Sequence, residues 1–217
     1  MWQDPQLLPA LLNTWMVGSV VVGLNLIIAI PGGKALAHYT FPGKTLLETL
    51  ITLPIIIPSL LIAMGLHLTM LRLGLANHWL GVALIHLLPT LPYSIRIMRA
   101  AFESWGIKWE EQGRNLGVAG WQLWWTLWIP LLLPSIRSLV ALTFIISLSQ
   151  YVLTALIGGG TVLTLAMVYF PCFSGSDSGV VAAFSMVFAI IPLVFLAVVE
   201  GLIRLILPGS IKLQDEV

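Results

Sequence analysis

Charge is what this sequence has least of. Only 9% of its 217 residues are Asp, Glu, Lys or Arg, where an average soluble chain carries roughly 25%. With 59% hydrophobic residues and a mean hydropathy of +1.00, it has too little polar surface to cover a soluble domain. A net charge of +1 and the lack of any basic cluster exclude nucleic acid as a partner. The single cysteine, Cys172, excludes an intrachain disulfide and any multi-cysteine metal site; it reads as a small buried hydrophobe. No G-x-x-x-x-G-K-[ST] loop is present, so this chain does not itself hydrolyse ATP. No serine–histidine–acid constellation with an aqueous site is present either, and the chain is not expected to be an enzyme. His67 and His86 lack an Asp, Glu or Cys at ligand spacing, so no metal is expected. They read as hydrogen-bonded within the bundle, although an ionisable group inside a membrane remains a candidate functional residue.

What the sequence does have is long apolar runs. Five of them, over 14–37, 49–71, 79–97, 135–157 and 180–205, reach the roughly 20 residues that a helix needs to cross a bilayer. The fold class is therefore all-α, with about five transmembrane helices. A sixth apolar run, 162–173, is too short and reads as re-entrant or interfacial. Five spans alternate sides. Lys34, Lys44, Arg96, Arg99, Lys108, Arg114, Arg137, Arg204 and Lys212 then fall on one side, and Arg72 alone on the other. Basic residues collect in the cytoplasm, so the amino terminus is expected outside and the carboxyl terminus inside. Residues 10–206 form the membrane domain, with a cytoplasmic loop at about 103–130 and a cytoplasmic tail at 207–217. The first run lacks a basic amino-terminal flank and is expected to stay as a span rather than be cleaved as a signal.

Tryptophan favours the headgroup region. Trp2, Trp15 and Trp79 lie at expected outer ends, while Trp105, Trp109, Trp121, Trp124, Trp125 and Trp128 gather about the cytoplasmic loop. The last four are spaced i, i+3, i+4, i+7, which on an α-helix is one face. That face lies against the inner headgroups or forms a packed core stripe. Pro54 and Pro58 in the second run, and Pro89 and Pro92 in the third, are expected to bend their helices. Such bends suit either a central cavity or a static bundle. Glu200 and Arg204 are one turn apart and read as an anchoring ion pair.

One polar patch interrupts this apolar chain. Glu111-Gln112-Gly113-Arg114-Asn115-Leu116-Gly117 is followed by Trp121-Gln122 and then by Ile129-Pro130-Leu131-Leu132-Leu133-Pro134. It resembles the E-A-A-x-x-L-G loop of the permease subunits of binding-protein-dependent ABC importers with the type I fold. Glu111, Leu116, Gly117, Pro130 and Pro134 fall in register with that pattern. Gln112 and Gly113 replace its two alanines, and a glycine there costs about 1 kcal/mol of helix stability. Phe41-Pro42-Gly43-Lys44 and Asn13-Thr14 resemble the turn and first-span opening of the same family. Ser147-Leu148-Ser149-Gln150-Tyr151 resembles a segment close to the translocation path in permeases for oxyanions, polyamines, ferric iron, thiamine and molybdate, with Gln150 where an acid is common.

The resemblance implies an inner-membrane subunit, multi-pass, that forms half of a substrate pathway. Its partners would be a dimer of ATPase subunits, a second permease chain (a copy or a homologue) and an external solute-binding protein. ATP would be bound by the ATPase, and this chain needs no cofactor of its own. Glu111, Gln112, Gly113, Leu116 and Gly117 would form the ATPase-coupling loop. Gln150, Tyr151 and Ser147 would line the pathway, or else serve as polar contacts between helices. The alternative is an ATP-independent secondary transporter or channel subunit. That would call for ion-coupling carboxylates or an inverted repeat, and neither is seen. The transported substrate is not fixed by these residues.

Overall fold

A computed structural model describes residues 5–172 and 178–206, all of them in helices or the turns between them. Trp2, Lys212, the tail 207–217 and the side chain of Cys172 lie outside the described residues. The helices are α1 Leu7–His38, α2 Lys44–Ile56, α3 Ser59–Arg72, α4 Trp79–Trp105, α5 Lys108–Asn115, α6 Gly120–Leu123, α7 Ile129–Leu148, α8 Tyr151–Gly158, α9 Leu165–Cys172 and α10 Ser178–Ile206. A π-helical turn, Trp124–Trp128, joins α6 to α7.

Three helices make the core. α1 is 32 residues, about 48 Å at the α-helical rise, and it exceeds the hydrocarbon thickness of roughly 30 Å. Its buried positions include Ala10, Val17, Val21, Asn25, Ala29, Gly33 and Leu36, the three-and-four spacing of one helical face. Along that face α1 packs on α4 and α7. Val17 and Val21 meet Val82, Ile85, Leu153 and Ile157 at one end. Ala29 and Leu36 meet Ile95, Met98, Phe102, Trp128 and Leu132 at the other. α1 and α4 therefore run parallel, and α7 runs against both. α10 closes the side through Phe195, which stacks on Phe144 at a centroid distance of 3.8 Å.

Four helical stretches are long and apolar enough to cross a membrane: α1, α4, the continuous run Gly120–Leu148, and Val181–Leu205. The fifth expected span, 49–71, is not one straight helix but two. α2 and α3 meet at 105°. Pro58 lacks the N–H to continue the helix and biases Ile57 toward extended backbone, observed at φ −80° and ψ 130°. α4 by contrast runs unbroken through Pro89 and Pro92. The span expected at 135–157 starts earlier, at Ile129, and breaks at Ser149 and Gln150 before resuming as α8. The short run 162–173 is not a span: α9 tucks against the start of α1, where the Leu165 N–H donates to Thr14 Oγ1 at 2.9 Å and Asn13 Nδ2 donates to the Leu163 carbonyl.

The four tryptophans do not share one face. In the wider π turn, residues three apart swing away from each other while residues four apart stay close. Trp128 is thus fully buried against Phe102, at 4.9 Å, whereas Trp121 and Trp125 face outward and pack edge to face at 5.5 Å. Core stripe and outward face are both present, on opposite sides.

The crossing of α1 and α4 depends on Gly33. A Cβ there would lie 2.6 Å from Met98 Cβ and 2.8 Å from the Arg99 backbone nitrogen, and small residues are what let membrane helices approach this closely. At Gly23, on the same helix, a Cβ would meet nothing within 4 Å. Gly33→Ala is expected to cost about 1–3 kcal/mol through overpacking, read as a lower thermal midpoint of the purified protein in detergent. Gly23→Ala is the control and should leave the midpoint unchanged or raise it, since alanine favours the helix by up to about 1 kcal/mol where space is open.

Candidate functional site

The polar patch folds as a helix with defined ends. α5 follows the α4 terminator Gly106 and stops at a glycine-terminated turn. The Val118 N–H donates to the Gly113 carbonyl at 3.1 Å, and the Gly117 N–H donates to the Arg114 carbonyl at 2.9 Å. These two bonds define a Schellman helix end, which places Gly117 at the left-handed position; its φ is +78°. The Leu116-Gly117 pair is thus a helix stop written in sequence. Gly113 has a different role. A Cβ on it would collide with the Leu123 side chain, so the glycine that replaces alanine lets α6 pack directly on α5.

Glu110, the residue before the motif, is the one buried residue of α5. Its carboxylate binds Lys34 Nζ of α1 at 2.6 Å and Arg114 Nη2 at 2.6 Å. The Lys34 ammonium also lies 5.1 Å from the Trp124 ring and 5.3 Å from the Trp128 ring, a cation–π arrangement worth about 0.5–2 kcal/mol. Burial raises the carboxyl's pKa, but the hydrogen bonds and charges of Lys34 and Arg114 outweigh it and hold the value below the ordinary 4.5. The resulting stabilisation is complete above that ordinary value and is lost as pH falls through the lowered one. Sequence reasoning used Lys34 only for orientation and passed over Glu110. Its one signal was an acid in the first turn of a polar helix, with a single lysine available on α1.

The residues singled out by the motif turn outward. Glu111 and Gln112 are exposed, and Leu116 and Trp121 are 83% and 71% exposed. Among the described residues every other acid is paired. Glu48 and Glu103 both bind Arg99, at 2.9 and 2.7 Å. Glu200 binds Arg137 at 2.8 Å and its expected partner Arg204 at 3.1 Å. Glu111 alone has no ion pair.

The second set of candidates surrounds the break after α7. Ser147 is buried and bonded to His86 Nδ1 at 2.9 Å. Gln150 is half-buried at the break itself, and the Tyr151 ring stacks on Phe170 at 4.8 Å. His86 spans the break, because its Nε2 meets Thr154 Oγ1 of α8 at 3.0 Å. Thr154 Oγ1 donates its own proton to the Gln150 carbonyl at 2.6 Å, so it must accept from His86 Nε2–H, and Nδ1 then accepts from Ser147. The imidazole is thereby fixed as the Nε2–H tautomer. The structure thus gives Ser147 a partner within the chain, while Gln150 and Tyr151 stand beside the break. His67 has no hydrogen bond in this network, and its buried Nδ1 has no partner among the described residues, so the expected bonding within the bundle holds for His86 alone. No group of three potential metal ligands exists among the described residues.

A bundle of apolar spans that displays a short, polar, glycine-stopped helix between two of them has the architecture of an importer permease. Residues 26–211 match the family described as "Binding-protein-dependent transport system inner membrane component", and the chain belongs to that family. It is 30% identical to the molybdenum transport system permease protein of Escherichia coli over 161 residues, covering 68% of this chain and 70% of that one. It is 26% identical to the sulfate transport system permease protein of the same organism over 203 residues, 83% of this chain and 73% of that one. A molybdate/tungstate transport system permease protein of Thermococcus kodakarensis is 26% identical over 147 residues, 68% of this chain and 59% of the relative. The crystal structure of a bacterial ABC transporter involved in the import of the acidic polysaccharide alginate superposes with a TM-score of 0.64, over 94% of this chain and 76% of that one, at 21% identity. The fold is that of type I ABC importers, and the chain is an inner-membrane permease subunit that works with an ATPase and a binding protein.

The hydrogen bonds about His86 make a prediction. Thr154 keeps its bond to the Gln150 carbonyl without the imidazole, whereas the Ser147 hydroxyl has His86 Nδ1 as its acceptor. His86→Leu should lose about 1–3 kcal/mol by leaving the buried Ser147 hydroxyl without an acceptor, read as a lower thermal midpoint of the purified protein. His86→Leu/Ser147→Ala should recover part of that loss. No recovery in the double variant would overturn the assigned bond from Ser147 to His86.

Proposed function

We propose that this chain is one of two permease subunits enclosing a pathway for a small oxyanion, and that the loop 111–117 is the docking site of the ATPase. The observation that carries the docking assignment is Glu111. It is the one acid among the described residues left without an ion pair, and it stands on an exposed helix beside an 83% exposed Leu116. A free carboxylate next to an exposed leucine suits a partner that brings a base and an apolar groove. In this reading two ATPase subunits bind ATP, a second permease chain (a copy or a homologue) completes the pathway, and an external solute-binding protein delivers cargo. The amino terminus lies outside and the carboxyl terminus with its tail 207–217 in the cytoplasm, in keeping with nine basic residues on one side and Arg72 on the other. Closure of the ATPases moves the loop and rocks the membrane domain, 10–206, between inward-open and outward-open forms.

The oxyanion is supported by the relatives, whose names refer to molybdenum, molybdate/tungstate and sulfate. Gln150 and Tyr151 fit such cargo as pathway residues: an amide and a phenol offer hydrogen-bond donors, and no carboxylate stands at position 150 to repel an anion.

Docking is tested at Gly117. Space around it is open within the chain, and Asp tolerates the left-handed region better than most residues, so Gly117→Asp probes the partner surface at a strain of about 1 kcal/mol in the helix end. Gly117→Asn, which carries the same strain without the charge, is its control. Gly117→Asp should insert in the membrane and lose about tenfold or more of the ATP hydrolysis stimulated by the loaded binding protein. Unchanged stimulation in reconstituted complexes would remove the docking assignment. The pathway is tested with Gln150→Cys in a Cys172→Ser background. A membrane-impermeant thiol reagent added outside should label it when ATP hydrolysis is trapped with vanadate and not in the resting complex. No labelling in either state, with assembly intact, would assign Gln150 to helix contacts alone.

A further inference from the structure

We infer that the Lys34–Glu110 pair is the joint through which the docking loop drives the first span, making Lys34 a positioning residue for transport. This rests on the docking of an ATPase at 111–117. α5 has one buried residue, and it is a carboxylate. No apolar side chain of α5 is buried, so the helix is fastened to the spans by charge and by the packing of Leu123 on Gly113. The base that holds Glu110 comes from α1, which is distant in sequence, and not from α4 or α7, which flank the loop.

Two elements converge on that one ammonium. Glu110 of α5 binds it, and the rings of Trp124 and Trp128 of the π turn lie 5.1 and 5.3 Å from it. Lys34 is therefore held at two points, by the docking helix and by the head of α7, and a shift of α5 pulls on the inner end of α1. The neighbouring Gly33 holds α1 against α4 at Met98, so the pull passes on to the core pair. An ion pair suits a joint better than a greasy contact does. It fixes a distance while leaving the angle free, and α5 can tilt without tearing a packed surface. Arg114 completes the carboxylate from the solvent side and, being on α5 itself, carries nothing between elements.

The test uses the complete complex of permease, ATPase and binding protein in proteoliposomes. Removing Glu110 alone would leave Lys34 as a largely buried cation without its carboxylate and endanger folding, so the main variant is the double Lys34→Met/Glu110→Gln. The ATPase should copurify with it as with the parent protein, and hydrolysis stimulated by the loaded binding protein should fall by about tenfold. Lys34→Arg keeps a cation for both the carboxylate and the indoles, and it should retain more than half of the stimulation. Full stimulation in the double variant would overturn the joint. So would loss of ATPase copurification in the double variant, which would make the pair a part of the docking surface or of the fold. Failure of the docking assignment is separable, since it would show as no effect of Gly117→Asp on stimulation.

Discussion

Inside the hydrocarbon of a bilayer there is no water to satisfy a polar group, and one left without a partner is costly. The rest of this structure depends on how that constraint is met. Buried polar side chains are arranged as a ladder between the three core helices. Asn25 of α1 donates to Thr90 at 2.9 Å, and Thr90 donates to the backbone carbonyl of His86 at 2.8 Å. His86 reaches across to Ser147 and Thr154, and Ser94 pairs with Thr143 at 3.0 Å. Interhelical hydrogen bonds in membranes contribute about 0.6 kcal/mol each, so the ladder's value lies in register more than in total strength. It sets α1, α4 and α7 at one relative height and carries the chain across the unwound turn at Ser149 and Gln150.

A second rule governs the peripheral helices. α2, α5 and α10 each contribute an acid, and each acid is bound by a base on a core helix. Glu48 meets Arg99 of α4, Glu110 meets Lys34 of α1, and Glu200 meets Arg137 of α7. All three joints lie at the same end of the bundle, the end that carries the loop. Apolar packing alone cannot place these helices, because lipid tails are as apolar as the leucines that face them. α2 illustrates the point, since none of its side chains is fully buried and only partly buried Ile51 packs against the core cluster of α1, α4 and α7. At this end, Glu48–Arg99 and the hydrogen bond from Arg96 to Thr52 do that placing. Charge is scarce in this chain, and six of the fourteen charged side chains among the described residues form these three joints.

How much of this was legible in the sequence follows from the range of each interaction. Hydropathy is local, so the apolar runs and the short segment near 165 could be read directly, while the break at Ser149 and Gln150 inside the run 135–157 could not. The break at Pro58 was legible as a bend, but its 105° was not, because proline sets where a helix fails and packing sets the angle. The tryptophan stripe was misread because spacing was converted to direction with an α-helical period, and no residue in Trp124–Trp128 announces a π turn. Lys34–Glu110 was invisible for another reason. It joins residues 76 positions apart, and either would have served as an ordinary interfacial charge.

The family motif and the physical reading select different glutamates, and the difference is informative. Motif register points to Glu111, while burial and charge point to Glu110. These two neighbours lie about 100° apart on a helix of 3.6 residues per turn, so they cannot face the same partner. One carboxylate is committed inward to α1, and the other is left outward with no ion pair. A short helix placed between a membrane domain and a second protein needs both kinds of contact. A helix with only the outward acid would dock without a grip on the spans, and one with only the inward acid would present nothing charged to a partner. The adjacent pair Glu110-Glu111 supplies each from successive residues, so eight residues of α5 suffice to have two faces.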